Sequence, residues 1–182
     1  LESALSCTTL DTIFVARGTY FPSFDATGNA APADPREKTF YLRNGIKIFG
    51  GFAGIETNLS QRDLLANPTI LSGDIGAAGN YADNCYHVIL SVSDGNTTEL
   101  DGFTITGGNA DGAGTQLVEG WTIFRAFGGG IQNTNSSPQI RYCKISGNKG
   151  GNGGGISNYN NSAPAIFNCL VSGNTANNGG GI

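Results

Sequence analysis

Apolar residues in this chain fall in short runs of two to four, broken by Gly and Asn, and the runs return at a fixed interval. GGGIQNTNSSPQIRYCKISGNKGGN starts at Gly128, GGGISNYNNSAPAIFNCLVSGNTANN at Gly153, and GGGI begins again at Gly179, intervals of 25 and 26 residues. In this alignment Ile131 meets Ile156 and Ile182, Pro138 meets Pro164, Ile140 meets Ile166, Cys143 meets Cys169 and Ile145 meets Val171. Asn148 and Asn174, each following the Gly of an SGN triplet, also coincide. The runs are too short for helices and suit brief strands. A period of this length implies stacked coils, because a single coil cannot cover its own inward face. Stacking at about 4.8 Å would set Ile on Ile and Cys on Cys as interior ladders. The Gly runs suit corners, and the SGN Asn can bond to its equivalent one coil along.

The same pattern, more loosely kept, runs upstream. TELDGFTITGGN places Leu100, Phe103, Ile105 and Gly107 where Ile140, Cys143, Ile145 and Gly147 lie 40 residues later. The excess over one coil predicts a loop inserted at 108–127. DTIFVARGTYF (11–21), TFYLRNGIKIFGGF (39–52), PTILSGDIG (68–76) and YHVILSVSDGN (86–96) each predict strand pieces ending in a Gly corner. Residues 22–38, with three Pro, predict an exposed loop. LSQRDLLA (59–66) predicts a single helical turn capped by Ser60, and the initial LESALS the end of another helix. The expected fold is therefore all-β, a right-handed parallel β-helix of about 25 residues per coil in its C-terminal half, with inserted loops, as a single domain over 1–182.

Composition narrows the function classes. Charged residues make up 13% and the net charge is −4, with ten scattered Lys and Arg. That leaves no basic footprint for nucleic acid. No run reaches the roughly 18 apolar residues of a membrane span. Cys7, Cys85, Cys143 and Cys169 fit neither a dense disulfide framework nor paired CxxC zinc spacing. Cys143 and Cys169 should stack inward as free thiols, and Cys7 and Cys85 could pair only if the first coils bring them together.

LDTIFVARGTYFP, NGIKIFGGFAGIET, LSQRD, NPTILSGD, YHVI, LDGFTITGGN and the GGGI repeats together resemble the right-handed parallel β-helix proteins of Bacteroidetes, of the pectin-lyase-like superfamily. The later coils also resemble the polymorphic outer membrane protein repeat. The resemblance covers essentially the whole chain. It implies an exported protein, extracellular or on the outer face of the bacterial outer membrane, in a group whose members often carry a type IX secretion sorting domain. The chain stops at GGGI in mid coil, so the expectation is a fragment of something longer.

Enzymes of that superfamily cleave acidic polysaccharides with Asp clusters, sometimes with calcium, and a Lys or Arg base. In the repeated coils the outward positions are Gln139, Arg141 and Lys144, then Ala165, Phe167 and Leu170, none acidic. Asp74 and Asp101 sit beside Gly, where a carboxylate capping a turn is the ordinary explanation. His87, the only histidine, gives triads and multi-histidine metal sites little to work with. The GGNADGAG run around Asp111 lacks the EF-hand and GGxGxD patterns, so a flexible insert is expected, with no metal; calcium is the one cofactor it leaves open. Trp121, Phe124, Arg125 and Asp111 are the candidate binding residues on this insert, set against a role of the aromatics in tucking the loop onto the coil.

The expected function is a noncatalytic structural or adhesive segment whose partners are a polysaccharide or another surface protein. A polysaccharide lyase or related carbohydrate-active enzyme is one alternative. The other is a filament-forming extracellular protein that self-associates through its coil ends.

Overall fold

A computed structural model describes residues 1–182. It is all-β apart from one four-residue helix, Glu2–Leu5, and three short 3₁₀ turns. Four all-parallel sheets are built by strands taken once per passage of the chain. The first sheet runs in order Thr12–Ala16, Lys47–Phe52, Glu99–Asp101, Gln139–Arg141, Ala165–Phe167. Each of these strands is followed by one of the second sheet: Gly18–Tyr20, Thr69–Ser72, Thr104–Thr106, Lys144–Ser146, Leu170–Ser172. The third sheet holds Asn109–Ala110, Lys149–Asn152 and Thr175–Asn178; the fourth holds Phe40–Leu42, Ile89–Val92, Ile131–Thr134 and Ile156–Tyr159. Every passage of the chain adds one strand to the first and second sheets, and the third sheet gains strands only from Asn109 onward, an arrangement consistent with a parallel β-helix.

Register makes the ladders. Ile131 lies opposite Ile156 on one side and Ile89 on the other, and Ile140 lies between Leu100 and Ile166. Ile145 pairs with Ile105 and Val171. One continuous cluster of 18 buried residues joins Val15, Ile48, Leu100 and Ile140 to Leu71, Ile105, Ile145, Phe40, Ile89 and Ile131. A buried Leu or Ile stabilises by about 1.5–3 kcal/mol relative to exposure, so the columns dominate the fold's energetics. The bond from Ile156 N–H to the Gly181 carbonyl repeats the bond from Ile131 N–H to Gly155, so the same register reaches the last residue, Ile182, which is 58% exposed.

The GGGI corner follows from this stacking. Gly128, Gly153 and Gly179 have φ of 64°, 62° and 61°, the left-handed region. A Cβ on the middle glycine, Gly129 or Gly154, would collide with the carbonyl of Lys149 or Thr175 in the neighbouring third-sheet strand. At the SGN corner Asn148 is fully buried. Its Oδ1 accepts from Gly108 N–H at 3.0 Å, and its Nδ2 donates to the Ile105 carbonyl and to Asn174 Oδ1, each at 3.0 Å.

Two expectations are corrected. The 59–66 turn is capped by Asn58, whose partner in a capping box is Gln61; the Ser60 hydroxyl donates to Asn58 Oδ1 instead. The insert is not an irregular loop: Thr115–Val118 and Trp121–Phe124 form an antiparallel hairpin that lies on the outer face of the fourth sheet. Val118 and Ile123 bury against Leu90 and Val92, which gives the insert an apolar seat of its own. No helix is long and apolar enough to cross a membrane.

Candidate functional site

The hairpin that carries the candidate residues is pinned at its base and free at its tip. On the incoming leg, Asp111 Oδ1 pairs with Arg36 at 2.6 Å and Oδ2 accepts from Asn109 Nδ2 at 2.9 Å. On the outgoing leg, Arg125 Nε meets Glu37 Oε1 at 2.5 Å. Both guanidinium groups face the ring of Tyr86, Arg36 at 4.2 Å and Arg125 at 5.9 Å, and the Tyr86 hydroxyl donates to Asp34 Oδ2 at 2.8 Å. Burial pushes the Glu37 carboxyl up, with the Arg125 ion pair opposing it. Three successive loops are thereby stitched together at one corner: the 22–38 loop, the segment before His87, and the insert.

Asp111 and Arg125 share this corner, whereas Phe124 stacks on Phe127 at 4.7 Å and meets Tyr159 edge-on at 5.2 Å. Trp121 sits farther out beside the tip, packed on the Val118–Ile123 cluster. The four residues do not converge on one pocket, and each already has a protein partner. A cation at Asp111 would have to displace Arg36.

Asp74 Oδ2 accepts from Gly79 N–H at 2.8 Å, a turn cap. Asp101 is different. It is 4% exposed and paired with Arg62 at 2.7 Å, an arginine supplied by the loop between Phe52 and Thr69. Acidic residues do stack on the outer face of the first sheet, one coil before the repeated ones: Glu99 and Asp101 lie opposite Gln139 and Arg141. Each is neutralised, Glu99 by Arg141 at 3.2 Å and Asp101 by Arg62. Along the same face run Phe14, Phe49, Asp101, Arg141 and Phe167 in one column. Arg141 covers the Phe167 ring at 4.6 Å, and Tyr142, 48% exposed, projects from the adjoining corner with φ 49°. Side chains of this bulk rarely adopt that conformation. The alignment of Leu100 with Ile140 already placed Asp101 beside Arg141, but Arg62 comes from a loop without repeat character, and nothing in the sequence pointed to it.

All four cysteines are free thiols. Cys143 N–H donates to Cys169 Sγ at 3.4 Å, and the single Cys169 S–H has the backbone carbonyls of Ile140 and Phe167 within reach as acceptors. His87 is buried with Nδ1 on the Gly128 carbonyl at 3.1 Å, and desolvation lowers its pKa to about 4. An open groove of about 490 Å³ crosses the third sheet between Asp111, Lys149 and Thr175, and a cavity of about 300 Å³ lies between Glu2, Phe24 and Tyr41. In comparisons with known proteins, no family model, no curated protein and no solved structure matches the chain.

Proposed function

We propose that this chain is a noncatalytic structural and adhesive segment of a secreted or cell-surface bacterial protein, coiled as a right-handed parallel β-helix of the pectin-lyase-like superfamily. Parallel strands joined by a crossover within one sheet are almost always right-handed, which supports the hand. The exported location and the superfamily rest on the sequence resemblance. The role rests chiefly on one observation: the acids on the outer face of the first sheet are paired with arginines, Glu99 with Arg141 and Asp101 with Arg62, so neither is free to take a substrate proton or hold a cation. The exposed Phe167 on that face and Tyr142 at its adjoining corner supply aromatic surface of the kind that stacks on sugars or protein edges. Stacked ladders give the stiffness a spacer needs.

The test is incubation of the protein with a panel of uronic-acid polysaccharides, followed by absorbance of unsaturated products. No product is expected. Product formation abolished by Asp101→Asn or Asp74→Asn would replace this reading with a lyase.

A further inference from the structure

Cys143 and Cys169 each stand between a first-sheet strand and a second-sheet strand, Cys143 between Ile140 and Ile145, Cys169 between Ile166 and Val171. The flanking residues are register partners, so the sheets on both sides hold one cysteine directly over the other. Their sulfurs occupy equivalent places. Cys143 Sγ lies 3.7 Å from the Leu100 carbonyl and Cys169 Sγ 3.4 Å from the Ile140 carbonyl, and Leu100 and Ile140 are themselves register partners. The sulfurs are therefore one strand spacing apart, about 4.8 Å. Between these layers the Cys143 N–H points at Cys169 Sγ at 3.4 Å, a donor suited to a thiolate.

That spacing fits a metal ion better than a disulfide. An ion midway lies about 2.4 Å from each sulfur, close to the ~2.3 Å of a metal–thiolate bond. Side chains leave a strand roughly perpendicular to the sheet, so the ion stands nearly at right angles to each Cβ–Sγ bond, where the sulfur lone pairs lie. A disulfide would have to draw the sulfurs in to about 2.05 Å against their parallel side-chain directions. Cys143 is 2% exposed and Cys169 partly exposed, so the pair is reached from the Cys169 side. Buried Leu100, Phe103, Ile140 and Ile145 surround it, and no cluster of three His, Cys, Asp or Glu side chains exists to complete a higher-coordinate site. Two sulfurs alone do not satisfy calcium, magnesium or tetrahedral zinc; they suit a soft ion content with two ligands.

We propose that Cys143 and Cys169 form a two-sulfur site for a soft monovalent cation, copper(I) or silver(I), which bridges adjacent layers of the stack. As the ion binds, two S–H bonds break, two metal–sulfur bonds form and both protons leave to solvent, with no change of oxidation state. The bis-thiolate unit carries one negative charge, taken up by the Cys143 N–H and by the solvent-facing side of Cys169.

Native mass spectrometry with equimolar silver nitrate and an excess of 2-mercaptoethanol should show one silver ion retained per chain. The second sulfur bond is intramolecular, so loss of either cysteine should weaken retention by on the order of 100-fold. Cys169→Ser, at a partly exposed position, and Cys143→Ala, which keeps the core apolar, should each lose the ion, whereas Cys7→Ser should keep it. X-ray absorption of the silver-loaded protein should show two sulfur neighbours at about 2.4 Å. No silver retained by the unsubstituted protein, retention by Cys169→Ser or Cys143→Ala, or a single sulfur neighbour would each overturn the site. Should Cys143→Ala lose its far-UV circular dichroism spectrum, Cys169→Ser and the absorption spectrum decide the matter.

Discussion

Asp94 and His87 are both buried without a charged partner, and they pull stability in opposite directions as pH changes. The Asp94 carboxyl has a folded pKa of about 7 against roughly 3.9 unfolded. Its contribution is fully present below the unfolded value and is lost as pH rises from about 4 to 7. His87 has a folded pKa of about 4 against roughly 6.5 unfolded. The folded state keeps it neutral, so its contribution is present above about 6.5 and is lost as pH falls towards 4. Each group changes stability by about 1.4 kcal/mol per pH unit within its window, with opposite sign, so the two nearly cancel between about pH 4 and 6.5. Asp94→Asn removes one side of that balance. Its stability relative to the unsubstituted protein should rise by on the order of 4 kcal/mol between pH 4 and 7, measured by urea unfolding at each pH. A difference that stays constant with pH would mean that Asp94 is not held neutral.

At the scale of elements, what the sequence disclosed depended on whether an element repeats. The strands of the last two coils were legible because the columns that fill the interior demand the same apolar residues every 25 or 26 positions. The GGGI corner was legible for the same reason, and its glycines are steric requirements. Gly154→Ala would push a methyl group into the Thr175 carbonyl, at a cost of about 1–3 kcal/mol by overpacking, read as a lower urea midpoint with unchanged slope. An unchanged midpoint would show that the third-sheet strand can give way. The hairpin was not legible. Its turn, Glu119-Gly120, has φ of 50° and 80°, the left-handed pair that two-residue hairpin loops need, but Glu is not a residue that announces it as Asn or Asp would. The same holds for the grouping of Trp121, Phe124, Arg125 and Asp111. They are close in sequence, yet the two legs of a hairpin separate its tip from its base, and each residue is drawn to a different neighbour.

Over the whole molecule, the interior is a set of columns and the outer surface is where coils differ. One face carries acids paired to arginines and a run of aromatic rings, another lies under the hairpin, and a third is a glycine-rich floor beneath an open groove. In such stacks stability is close to a sum of terms from each layer and from the interfaces between layers, so a local opening need not threaten the rest. All of this follows from one arrangement, in which a residue's backbone bonds to the coil beside it rather than to its own. Through-hydrogen-bond NMR couplings test that arrangement directly. Couplings are expected from Ile131 N–H to the Gly155 carbonyl and from Ile156 N–H to the Gly181 carbonyl. Couplings from those amides to carbonyls only a few residues away, or an antiparallel pattern between the two GGGI segments, would contradict it.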